Sequence, residues 1–196
     1  MIRTAMDTDN LAALDGAFPI IMTYSDLVPV PSQLQVRFPN SELVLIDRKL
    51  GDPSGQASII DIEPGAWDVS EARSWFEAKI AARVPFLTAY SDRAELAAID
   101  AALAGVPHFR WIATLDGTVH IPGYTPLRSP AVVQILDAAH SGAPIDISLV
   151  LEDNWHPTLA VPDISAALTS AESALTATNT AVAAMQAVVR DLMAIG

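Results

Sequence analysis

The chain has 196 residues, 51% of them hydrophobic and 17% charged, which fits a globular domain with a sizeable core and excludes a disordered chain. Its formal charge of −12 excludes the basic clusters that nucleic acid requires, and the lack of cysteine excludes disulfides and thiolate metal sites. No apolar run reaches the length of a membrane span, and no basic-then-apolar leader opens the chain, so the sequence reads as soluble, without membrane insertion or an export signal.

Ile2 to Met6 predicts a first strand running into Asp7, followed by Thr8-Asp9-Asn10 as a cap and a short helical pattern at Leu11 and Leu14. Pro19 to Tyr24 is a second strand by its β-branched content, and Ser32 to Phe38 holds a turn or two of helix. Glu42 to Asp47 is a third strand, and the loop Gly51 to Gly55 follows it. The fourth, Ser58 to Glu63, is an apolar run that closes on two carboxylates, and Pro64-Gly65 stops it. In a strand, positions two apart share a face, which sets the Asp61 and Glu63 Cα atoms roughly 7 Å apart at the C-terminal end, where parallel α/β folds build their sites.

From Val69 to about Arg83 the period becomes helical, with Ala72, Trp75, Phe76 and Ile80 on one apolar face. Pro85 to Tyr90 is a fifth strand, Ser91-Asp92 caps a helix carrying Leu96, Ile99 and Leu103, and Gly105 to Pro107 closes that helix. Phe109 to Leu115, Ala131 to Leu136 and Ile145 to Val150 complete a set of eight strands. Eight strands with several helices between them predict an α/β fold, a minimal or degenerate (β/α)₈ TIM-like barrel over residues 1–156, stripped down or incompletely closed. A doubly wound open sheet is the alternative.

Several stretches, taken in order, resemble the glycoside hydrolase family 25 lysozymes. They are Asp7, Asp61-Ile62-Glu63, Ala89-Tyr90, Trp111-Ile112-Ala113, Val133-Gln134 and Asp146-Ile147-Ser148. The chain is still more similar to small glycoside-hydrolase-like barrels of actinobacteria and their bacteriophages, through Ala5 to Leu11 and the Asp61-Ile62-Glu63 pair. The resemblance implies a quartet of inward carboxylates, Asp7, Asp61, Glu63 and Asp146. It makes Glu63 the proton donor to a glycosidic oxygen and Asp61 the residue that positions an acetamido group or stabilises positive charge. Asp7 and Asp146 then add to the negative field around an oxocarbenium-like state. Tyr90, Trp111 and Gln134 are the implied substrate contacts, and Trp67 offers a replacement stacking platform.

The chain departs from that pattern at Thr114 and at Ile135-Leu136, where the lysozymes tend to carry aromatics, and at Ser148, where Asn is usual. No cofactor is implied. His108, His120, His140 and His156 show no metal-ligand spacing, Asp153-Asn154 beside His156 is a weak cation pairing, and neither a phosphate-binding glycine loop nor a nucleophile elbow is present.

After a Pro-containing linker at 157–162, the composition shifts to Ala, Ser and Thr, with Asp163 as a helix cap. Apolar or small residues recur at 164, 168, 171, 175, 178, 182, 185, 189 and 192, in alternating steps of four and three. That is a heptad seam, and it predicts a coiled-coil-like C-terminal helix over 163–196 that forms a homo-oligomer. Two functions follow as expectations. The first is a bacteriophage virion component, a glycosidase-like barrel displayed on a helical stalk among other virion proteins and touching host wall glycan. The second is an active muramidase-like hydrolase that cuts peptidoglycan through Glu63, located in the bacterial cytoplasm or released without a signal peptide. For the tail, light scattering should give an oligomeric mass for the full chain and a monomeric one for a chain ending at Pro157; equal monomeric masses would remove the stalk.

Overall fold

A computed structural model describes residues 2–28, 30–115, 131–137, 143–151 and 155–156. The contacts divide the chain into two units, Met1–Ala160 and Val161–Gly196. The second unit, with the heptad seam, lies outside the described residues, as do His120, His140, Asp153 and Asn154.

The strands are β1 (Arg3–Thr8), β2 (Ile20–Tyr24), β3 (Glu42–Asp47), β4 (Ile59–Asp61), β5 (Thr88–Asp92), β6 (Phe109–Ala113), β7 (Val132–Leu136) and β8 (Asp146–Val150). They close into one barrel in chain order. The described residues carry three α-helices, α1 (Pro31–Arg37), α2 (Val69–Ala81) and α3 (Leu96–Ala102). Neighbours from β1 to β7 are parallel, whereas β8 runs antiparallel to both β7 and β1. The eight-stranded, helix-poor barrel agrees with the stripped-down expectation, and the reversed last strand corrects it to a mixed barrel. The link from Leu136 to Asp146 is the shortest between successive strands, in keeping with an antiparallel return.

Strand alternation sorts the side chains into an inner and an outer set. Ala5, Ile20, Met22, Val44, Ile46, Ile59, Tyr90, Trp111, Val132 and Val150 fill the interior. Outside, Met6, Ile21, Leu43 and Leu45 pack with Leu34 and Phe38 around α1, while Ile60 and Ala89 pack with Ala72, Trp75, Phe76 and Ile99 from α2 and α3. The α2 face differs from expectation at one position. Ile80 is 46% exposed and Lys79 takes the inner place, its ammonium bonded to Asp52 and to the Gly55 carbonyl. That ion pair ties the β3–β4 loop to α2 where a helix would otherwise stand. The helix starts where a capping box between Asp68 and Glu71 satisfies its first N–H groups.

Because β8 runs downward, the chain leaves it at the end of the barrel opposite the C-termini of the parallel strands. Trp155 fills that end, fully buried, and its indole N–H donates to Thr88 Oγ1 at 2.9 Å. Arg3 caps the plug by donating to the Trp155 carbonyl and to Glu42, which also meets exposed His156. Trp155→Ala should leave an internal cavity and cost about 3–5 kcal/mol in urea unfolding; a loss below about 1 kcal/mol would mean that the plug does not hold the barrel shut.

Candidate functional site

The open end of the barrel carries the acids. Asp7 is inward-facing on β1, and its direct cross-strand partner on β8 is Asp146. Had β8 been parallel, Asp146, its first residue, would stand at the plugged end; the reversal brings it to the mouth. Asp61 ends β4 in direct register with Tyr90 on β5. Glu63 lies past the strand, in a tight turn where Ala66 N–H donates to the Glu63 carbonyl and Trp67 N–H to that of Asp61. Gly65, at φ +94°, supplies the left-handed step this turn requires. The pair therefore shares the rim without sharing a strand.

Asp7 and Asp61 are 4% and 5% exposed, and Asp7 Oδ2 and Asp61 Oδ1 have no hydrogen-bond partner among the described residues. Burial pushes the Asp7 carboxyl well above its ordinary range, and the charges of Asp146, Asp61 and Glu63 push it further. Burial and then Glu63 raise Asp61 to about 7, against a lowering by Arg48. Glu63 is raised by burial, Asp92 and Asp146, and held back by the Tyr90 hydroxyl. Asp146, Asp61 and Glu63 all act on Asp7, Glu63 acts on Asp61, and Asp146 acts on Glu63, so the charges of the quartet are felt across this end of the barrel.

Below the acids lies a floor drawn from four strands. Tyr90 Oη donates to Gln134 Oε1 at 2.7 Å, and Trp111 Nε1 donates to Ser148 Oγ at 3.1 Å. The two rings lie 4.4 Å apart between centroids. Trp111 and Gln134 are 1% and 2% exposed, so as placed they support the mouth from beneath. Trp67 stands at the rim, its indole N–H on Asp47 Oδ1 at 3.0 Å and Lys49 Nζ 5.6 Å from its ring centre. With Glu63, Pro64 and Asp68 it lines a cleft of about 310 Å³. A second cleft of about 240 Å³ is lined by Asp7, Thr8, Asp9, Tyr24, Arg48 and Asp146, with Pro144 and Ile145 at its edge.

Sequence reading missed three contributors. Tyr24 ends β2, Asp47 ends β3 and Arg48 follows it, so the rule that parallel strands carry sites at their C-terminal ends would have found them. Asp47 accepts from both Trp67 and Trp75 and so fixes the loop that bears Glu63. Arg48 pairs with Asp26 through two hydrogen bonds of 3.0 and 3.1 Å and lies over the Tyr24 ring at 4.3 Å. Among the described residues no group of three or more acids or histidines has a geometry that could hold a metal ion.

Asp61 holds its proton more tightly folded than unfolded. From the ordinary carboxylate range up to about pH 7 the folded state therefore binds the extra proton, and stability falls as pH rises. Asp61→Asn should flatten that fall, gaining on the order of a few kcal/mol near pH 8 relative to pH 4 in urea unfolding; an unchanged slope would contradict the buried, crowded carboxyl. Comparison with protein-family models, with curated proteins and with solved structures finds no match to this chain, so what the mouth does has to be read from its own residues.

Proposed function

We propose that the barrel mouth is a glycosidase-like site of the family 25 lysozyme kind, acting on a bacterial wall glycan with Glu63 as proton donor. The observation that carries this reading is the convergence of Asp7, Asp61, Glu63 and Asp146 from three strands and a turn at one rim. Glycoside hydrolysis needs a carboxyl that keeps a proton near neutrality and further carboxylates facing the sugar ring. Burial and the charges of Asp92 and Asp146 push Glu63 in that direction, and it lines an open cleft beside Trp67. The Glu63 proton passes to the glycosidic oxygen as the bond from that oxygen to the anomeric carbon breaks. The positive charge left on the ring then faces Asp7, Asp61 and Asp146. Water closes the cycle, its hydroxyl going to the anomeric carbon and its proton back to Glu63.

A second reading keeps the site but removes turnover: a barrel that binds wall glycan and is displayed by an oligomeric tail on a phage particle. The heptad seam at 164–192 favours it, as does the burial of Trp111 and Tyr90, which leaves Trp67 the most accessible aromatic of those the resemblance nominates. Incubation with peptidoglycan separates the two. Reducing ends should appear under the hydrolase reading, and Glu63→Gln should lower their release by at least about a hundredfold with the circular dichroism spectrum unchanged. No release anywhere between about pH 4 and about pH 8 would remove the hydrolase and leave the binding module.

A further inference from the structure

The cleft on the Asp7 side of the mouth has a chemistry of its own. Among the described residues its lining is Asp7, Thr8, Asp9, Tyr24, Arg48 and Asp146, with Pro144 and Ile145. Asp7 is 96% withdrawn from solvent at 4% exposure, yet its Oδ2 meets no donor among the described residues. Asp61 on β4, outside this cleft's lining, leaves Oδ1 in the same state at 5% exposure. Buried carboxylate oxygens without donors are rare, because each forfeits its hydration without replacement. Two of them at one mouth describe a place that lacks its hydrogen-bond donors. The cation present, Arg48, is turned away into its two bonds with Asp26.

The missing donor can be specified. A metal ion needs several ligand atoms at one short distance from a single point, and no such group exists among the described residues. An acetamido group brings one N–H, and its carbonyl oxygen and methyl would have to sit among carboxylates. A primary ammonium brings three N–H donors that reach separate acceptors, and its positive charge favours the ionised form of the acids it meets.

We infer that this cleft takes the primary ammonium of a de-N-acetylated amino sugar, so that the glycan the barrel recognises carries a free glucosamine-type unit where Asp7 lies. The inference rests on the reading of the mouth as a glycan site and narrows its substrate class. Recognition is electrostatic where sugar sites more often use stacking, in keeping with the burial of Tyr90 and Trp111 in the floor.

Calorimetric titration of the full chain tests it with two probes, the β-1,4-linked glucosamine tetramer and its fully N-acetylated counterpart. The free amine should bind at least about tenfold more tightly at low salt, the return expected from one added charge-assisted pair. Asp7→Asn should remove most of that preference; Asp146→Asn, in the same cleft, serves as the second variant should the first not fold. Tetralysine, of equal charge but the wrong shape, should bind more weakly than the amino sugar. Equal or weaker binding of the amine, a preference that survives both substitutions, or tetralysine binding as tightly as the sugar would each overturn the inference. Binding is read here without turnover, so a negative peptidoglycan assay and a negative amine preference are separate results.

Discussion

Everything at the mouth depends on the way the last strand closes the barrel. After the shortest of the links between successive strands, β8 runs against both neighbours, and that reversal sets Asp146 directly opposite Asp7. The same reversal carries the chain after Val150 to the far end, where Trp155 can fill the interior. One topological event thus makes an acid-lined opening at one end and an apolar plug at the other. A uniform parallel barrel of the same strands would have split the acid quartet.

Holding carboxylates this close and this dry works against folding, since each loses hydration and feels the others. The structure compensates around the site. The polar edges of Tyr90, Gln134, Trp111 and Ser148 satisfy one another beneath the acids. Asp47, by contrast, is fully bonded, to two indoles and the Lys49 amide, and fixes the β4–α2 loop. Buried acids that find partners serve the scaffold here, and those that find none point into the opening. That division separates structural carboxylates from candidate chemical ones more sharply than position along the chain does.

Much of this was legible in the residues. β3 runs from Glu42 to Asp47 as its apolar run reads, and Asp7 and Asp61 fall on inward positions of strands that were predicted. The pairing of Asp61 with Glu63 was right in neighbourhood and wrong in mechanism, because Pro64 and Gly65 end the strand early and a turn, not strand alternation, presents Glu63. Ile80 and Lys79 exchanged places because an ion pair to Asp52, remote in sequence, outweighs local periodicity. The direction of β8 was available from its short connection, but strand composition alone does not record direction. Tyr24 and Arg48 went unnoticed since neither belongs to a motif; they matter only through the strand ends they occupy.

The central claim is that four acids from distant parts of the chain share one low-dielectric space. Site-resolved carbon NMR of the side-chain carboxyls across a pH titration measures this most directly. The account predicts that Asp7, Asp61 and Glu63 titrate above the usual carboxylate range, with Asp61 near about 7 and each curve broadened by its neighbours. Three independent transitions near about pH 4 would place these groups apart in water, and would contradict the shared site.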